Sequence, residues 1–222
     1  MKKAHNWLFL LAFTLFIAAC QNNDNASSSG EALEVDKASF SGSADFQVDT
    51  RMSIVGWKGT QNVSNKAHTG KLSLSDGTLY VKDGELVGGK VTIDMNSLTV
   101  TDLEGEYKGK LEGHLKSDDF FGVTTYPAAT FEIATITPVD TISGATHVIA
   151  GNLTMRDITK SISFPSQVRI EDKAVSATTL PFQINRTEWE VNYNAGFLGT
   201  VKDKIIEDEV SLNLKVRATL PE

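Results

Sequence analysis

The residues suited to acid–base or metal chemistry are few in the body of the chain: His68, His114 and His147. His114 lies in "LEGHLKSDDFFGVTTYPAATF" (residues 111–131), just ahead of the adjacent carboxylates Asp118 and Asp119. A locally built metal site needs two ligands on one face, as HxH, HxxxH or HExxH spacing provides. None of the three histidines has such spacing, and Asp118 and Asp119, being neighbours, point apart in helix and strand alike. No metal site is expected. Nucleophilic catalysis has no GxSxG elbow to stand on, and the single cysteine, Cys20, is remote from the body. "GELVGGK" (84–90) lacks the spacing and the strand-to-helix setting of a phosphate-binding loop. The chain therefore nominates no catalytic residue and reads as a non-enzyme; a histidine base, His68 or His114, is the remaining catalytic alternative.

The N-terminus carries an expectation about where this body works. Lys2 and Lys3 precede the apolar run "WLFLLAFTLFIAA", which is too short to span a bilayer and leads through small residues to Cys20. Residues 1–19 are expected to be a secretory signal. "IAAC" resembles a bacterial lipobox, which makes Cys20 the expected lipid anchor. The protein would then reside in the bacterial cell envelope, on the periplasmic or outer-membrane face. With Cys20 acylated, the body has no thiol for disulfides, metal ligation or nucleophilic attack.

Residues 20–43 are polar, Ser/Asn-rich and without periodicity, and read as a flexible tether spanning roughly 25–30 Å root-mean-square. Residues 44–222 fit one domain. The full chain carries 21 basic and 28 acidic residues, a net −7. Removing Lys2 and Lys3 leaves 19 against 28, or −9. That sign, with no basic cluster, argues against nucleic acid and against electrostatic docking on anionic lipid.

The elements that must position any site are mostly strands. In "EVSLNLKVRATL", Val210, Leu212, Leu214, Val216 and Ala218 alternate with polar residues, the period of a half-buried antiparallel strand. "GTLYVKDGELVGGKVTIDM" reads as a hairpin turning at Asp83-Gly84, and "VRIEDKAVSATTLPF" as one turning at Asp172-Lys173. "MSIVGWKGT", "ATFEIATI", "HVIAGNLTM" and "KSISFPSQV" supply further strands. About eight strands without a βαβ rhythm predict an all-β antiparallel barrel, whose closure removes edges and can enclose one small ligand.

One segment departs from this pattern. From Thr101 to Ser117, Leu103, Tyr107, Leu111 and Leu115 recur every four residues and predict a short helix over one barrel end. Thr101-x-x-Glu104 fits a capping box, and Glu104–Lys108 and Glu112–Lys116 are favourable pairs. Gly105, Gly109 and Gly113 each cost about 1 kcal/mol in a helix interior, so tertiary packing must hold it, and a helix that starts only at about Tyr107 is the alternative. The aromatics cluster just beyond, at Phe120, Phe121, Tyr126 and Phe131, with Trp57 in the first strand and Phe182 and Trp189 late in the chain. Two phenylalanines after a Ser-Asp-Asp turn suit a plug at a cavity mouth.

Together "MSIVGWKG", "HTGKLSLSDGTL", "GGKVTIDMNSLTVTD", "GHLKSDDFFGVTTYPAATFEI", "GNLTMRDITKSISFP" and "FQINRTEWEVNY" resemble the YceI-like family from about Asp45 to Leu220. Gly122 and Asp157 depart from its usual pattern; Asp157 stands where a turn glycine is common, a place an aspartate tolerates. The resemblance implies a lipocalin-like, eight-stranded barrel that binds a polyisoprenoid, an isoprenoid quinone or a similar amphiphile. Implied cavity walls are Trp57, Leu111, Leu115, Phe120, Phe121, Tyr126, Phe131 and Phe182. His114 is expected on the buried side of the helix, bonded locally, with Asp118 and Asp119 shaping the turn. No cofactor is implied beyond a bound isoprenoid lipid or quinone. Carrier, sensor and quinone-holding electron-transfer accessory all stay open as roles, as does a homodimer.

Overall fold

The computed structural model describes residues 29–62, 66–196, 199 and 201–221. The signal segment, Cys20 and the first part of the expected tether lie outside them. Ten strands form one antiparallel sheet: β1 (Ala44–Val48), β2 (Ile54–Thr60), β3 (Ala67–Lys82), β4 (Glu85–Val100), β5 (Ala128–Pro138), β6 (His147–Met155), β7 (Ile158–Glu171), β8 (Ala174–Thr179), β9 (Phe182–Asn185) and β10 (Glu209–Thr219). Among the described residues there is one α-helix, α1 (Gly105–Lys116), which bridges β4 and β5.

The ten strands make eight staves. β1 and β2 both pair with β3 and β10, at successive levels, and so form one broken stave. β8 and β9 follow one another along the other edge of β10, with β8 alone also pairing with β7. The ring closes as β10–β2–β3–β4–β5–β6–β7–β8–β10. Each break strands an N–H of β10, and each is mended by a hydroxyl. Ser53 Oγ accepts from Arg217 N at 3.0 Å, and Thr179 Oγ1 accepts from Leu214 N at 2.9 Å. Both hydroxyl residues are buried. A donor left buried without a partner costs about 1–3 kcal/mol, so these hydroxyls make the interruptions affordable.

The turns follow local chemistry. Asp83-Gly84 and Arg156-Asp157 carry positive φ at both positions (53° and 80°; 51° and 59°), the geometry of a two-residue hairpin whose twist matches its strands. Asp157 thus does adopt the left-handed backbone. β3 and β4 are longer than the sequence pattern suggests because bulges at Lys71/Ser73, Leu74/Asp76 and Tyr80/Val81 interrupt their alternation.

The lumen is solid in one half and hollow in the other. At the end capped by the β3–β4 and β7–β8 turns, Phe131, Phe164 and Phe182 stack in series, with centroids 5.3 and 4.5 Å apart. Only about 40 Å³ is left among their neighbours. Gly151 makes room for this stack: a Cβ there would sit 2.7 Å from the Phe131 ring. The opposite half, under α1, is not filled.

Residues 30–43 are not tether. They run as a belt across the outside of the barrel. Gly30 pairs with Ser161 of β7, Leu33 exchanges two hydrogen bonds with Asn152 of β6, and Lys37 lies 3.9 Å from Glu132 of β5. Phe40 then stacks on Tyr80 of β3 at 4.8 Å and lies against Gly88 of β4, where a side chain would collide with its ring. Lys82 Nζ donates to the Ser41 carbonyl. The polar composition of this stretch hid its anchor points, Leu33 and Phe40.

Candidate ligand-binding site

The hollow half encloses about 360 Å³, within the range of roughly 300–1,000 Å³ usual for small-molecule sites. Its depth is hydrocarbon, contributed by Val55, Leu72, Ile93, Met95, Leu98 and Leu153. Polar side chains gather only toward the rim, where Gln61, Lys66, His68, Asn194 and Lys204 mark the mouth. Such a space selects against charge and rewards apolar surface.

Strand alternation and one glycine set the wall near the mouth. Trp57 pairs with Gly70 across β2 and β3, and its indole lies where a Gly70 side chain would be, 2.3 Å from the position a Cβ would take. Thr99 O lies 2.1 Å from that same position. Gly70 is thus a space-maker for a lumen aromatic, as Gly151 is at the packed end.

α1 forms the lid through Leu111 and Leu115. It begins at Gly105 behind Glu104, which offers no side-chain cap, so the expected capping box does not form. The Thr101 hydroxyl lies 3.2 Å from Thr69 Oγ1 instead, and the neighbouring Asp102 is bonded to His68 and the Thr69 N–H. Nor is the apolar stripe continuous, since Tyr107 is 76% exposed. The helix is held by Glu112, whose Oε1 accepts from Thr99 Oγ1 at 2.7 Å and Val100 N at 2.8 Å at the end of β4. The Thr99 hydroxyl and the Val100 N–H hold the Glu112 carboxyl below its ordinary range, against a smaller opposing effect of burial. Its ion pairs are Glu106–Lys110 at 2.6 Å and Lys108–Glu112 at 3.8 Å.

The turn after α1 aims the phenylalanines. Ser117 is the C-cap, Phe120 N and Gly122 N both bond Ser117 O, and Gly122 takes φ +55°. Phe120 is buried and Phe121 half-buried, both on the cavity wall. His114 is partly exposed rather than on a buried face. Its ring meets Phe120 and Tyr193 edge-on, and Nε2 lies 3.5 Å from Asp119.

Arg186 props the far rim. It is 2% exposed and donates from Nε to Glu207 O, from Nη2 to Ile206 O and from Nη1 to Val191 O, with Asp208 at 3.6 Å. Burial lowers its pKa, while Asp208 and Glu209 push back. Sequence reasoning did not single it out, because an arginine in "FQINRTEW" carries no sign that it will turn inward.

Of the expected wall residues, Trp57, Leu111, Leu115, Phe120 and Phe121 surround the cavity. Three do not. Phe131 and Phe182 belong to the aromatic stack of the solid half, where their rings reach across the lumen to Phe164. Tyr126 lies outside, under the Arg156 guanidinium at 5.6 Å; Arg156 also donates to the Phe120 and Glu190 carbonyls. The missed wall residues are aliphatic strand positions, signalled by their alternation but not distinguishable from solid core. His147 sits at the packed end, bonded to Thr146. Among the described residues, no three His, Cys, Asp or Glu side chains form a metal-ligating group, and no helix is long and apolar enough to cross a membrane.

Comparison with known proteins agrees with this architecture. Solved structures with the same fold include BcnA of Burkholderia cenocepacia, at 22% identity and TM-score 0.59, covering 78% of this chain and 99% of that one. A polyisoprenoid-binding domain from Saccharophagus degradans, implicated in plant cell wall breakdown, matches at 15% identity and TM-score 0.56, covering 79% and 98%. Comparison with curated proteins gives no match. The YceI-like domain model matches residues 46–218, nearly the whole barrel, and the chain belongs to the YceI-like family.

Proposed function

We propose that this protein binds the apolar tail of an amphiphile, a polyisoprenoid, an isoprenoid quinone or a similar lipid, inside its lumen, as a non-catalytic carrier or sensor of the bacterial envelope. The observation that carries this reading is the hollow hydrocarbon-lined half of an otherwise solid barrel. Each buried methylene contributes about 0.8 kcal/mol, so the end of a prenyl chain supplies affinity without a charged anchor point. The family resemblance and the polyisoprenoid-binding neighbour support the same class of ligand. At 360 Å³ the space suits the end of a long tail, with the remainder leaving through the mouth. Acylation of Cys20 would keep the barrel beside the membrane from which such a ligand comes.

The test is organic extraction of the protein purified from its native envelope, followed by mass spectrometry. A stoichiometric prenyl or acyl lipid is the expected result. An empty extract, together with no binding of added prenyl lipids, refutes the reading.

A further inference from the structure

We propose that the rim groove between β3 and α1 is a head-group site, in which His68, held by Asp102, accepts a hydrogen bond from the hydroxyl of a prenyl alcohol or phenol whose tail fills the lumen. This rests on the lumen-binding reading above and adds the polar end of the ligand to it.

The argument begins with register. His68, Gly70 and Leu72 alternate along β3, and Gly70 and Leu72 are inward positions, so His68 is the last inward residue before the mouth. Lys66, His68 and Leu111 line both the lumen and an external groove of about 490 Å³ completed by Leu103, Tyr107, Lys110 and His114. The two spaces therefore share a wall at His68. A molecule with its tail in one space and its head in the other must pass this ring.

The ring is oriented. Nδ1 lies 2.8 Å from Asp102 Oδ2, while Asp102 Oδ1 accepts from Thr69 N at 2.8 Å. Partial burial pushes the Asp102 carboxyl up, but the Thr69 and His68 hydrogen bonds outweigh it and hold it below the usual carboxylate range. A carboxylate only accepts, so Nδ1 carries a proton, and in the tautomer this bond selects Nε2 is the acceptor. Three of the charges around the groove have neighbours of opposite sign on their own segment, Lys110 with Glu106, Lys108 with Glu112 and His114 close to Asp119, and Lys66 adds a further cation to its lining. An acceptor nitrogen on the wall shared by the two spaces suits a head that carries an O–H donor.

The experiment compares two probes with one tail, all-trans-farnesol and its O-methyl ether, by calorimetry on the lipid-stripped protein. The ratio of the two affinities is the readout, since changing a wall residue alters the absolute value for both. The alcohol-over-ether preference is expected to fall about tenfold in His68→Phe, the loss of one hydrogen bond. Asp102→Asn can donate to Nδ1 and so move the ring proton to Nε2; it is expected to lower the preference too, a change that lost packing alone would not produce. A preference unchanged within about twofold in both variants overturns the head-group site and leaves lumen binding intact. Failure of both probes to bind the unmodified protein removes the lumen reading, and this inference with it.

Discussion

Leu72→Phe offers a sharp test of a preformed void. Adding three carbons to a packed core ordinarily costs about 1–3 kcal/mol. Leu72 is 8% exposed and forms part of the wall of the 360 Å³ space, so the larger ring can enter volume that no side chain occupies. Three extra buried carbons at about 0.8 kcal/mol each give an upper limit near 2.4 kcal/mol. Imperfect contact of a flat ring with the far wall reduces this to about 1 kcal/mol. For a domain of this size the lipid-free protein should melt roughly 2–4 °C higher, while affinity for a prenyl ligand falls because the ring occupies its space. Leu79→Phe is the matched control. It adds the same atoms at the aromatic end, where about 40 Å³ is available, and should lower the melting temperature. Calorimetric melts of both variants, stripped of lipid, settle the matter. If Leu72→Phe is destabilised as much as Leu79→Phe, the upper half is not hollow in solution and the reasoning fails.

Two further substitutions probe the rim and the lid. Arg186→Met should cost about 3–5 kcal/mol, because three buried carbonyls lose their charged donor; hydrogen exchange should quicken first in residues 201–208. The folded-state pKa of Glu112 is depressed, so its bond to Thr99 and Val100 stabilises the protein fully above its ordinary value of 4.5 and fades as pH falls through the lower native value. Exchange of the Val100 amide should accelerate over that acid interval, and Glu112→Gln should flatten the response.

Where alternation ran unbroken, the sequence was readable. β10, the β3–β4 hairpin and the β7–β8 hairpin follow directly from period two and turn residues. β1 and β9 were missed because each is the shorter piece of a broken stave, and a stave mended by Ser53 or Thr179 looks in sequence like a strand that ends. The resemblance put Trp57 and Phe120 in the wall together with Phe131 and Phe182, and nothing in the sequence separated the two pairs. The difference between a hollow and a solid rung lies in whether three rings meet across the lumen, and that depends on Phe164 and Gly151, supplied by other strands. Arg186 and the His68–Asp102 pair were illegible for the same reason: Arg186 takes two of its three carbonyl acceptors from residues 20 and 21 positions on, and His68 lies 34 positions from Asp102.

The belt of residues 30–43 bears on mechanics. If the lipid is on Cys20, only residues 21–29 are left as a leash, and nine residues reach no further than about 30 Å even when fully drawn out. Tension on that leash would fall first on the Gly30–Ser161 and Leu33–Asn152 contacts of β7 and β6, and only after these parted would it reach the Phe40 stack and the first stave. With such an anchor the barrel wall would be shielded from the pull by a strip whose contacts with β7 and β6 part before the first stave is loaded.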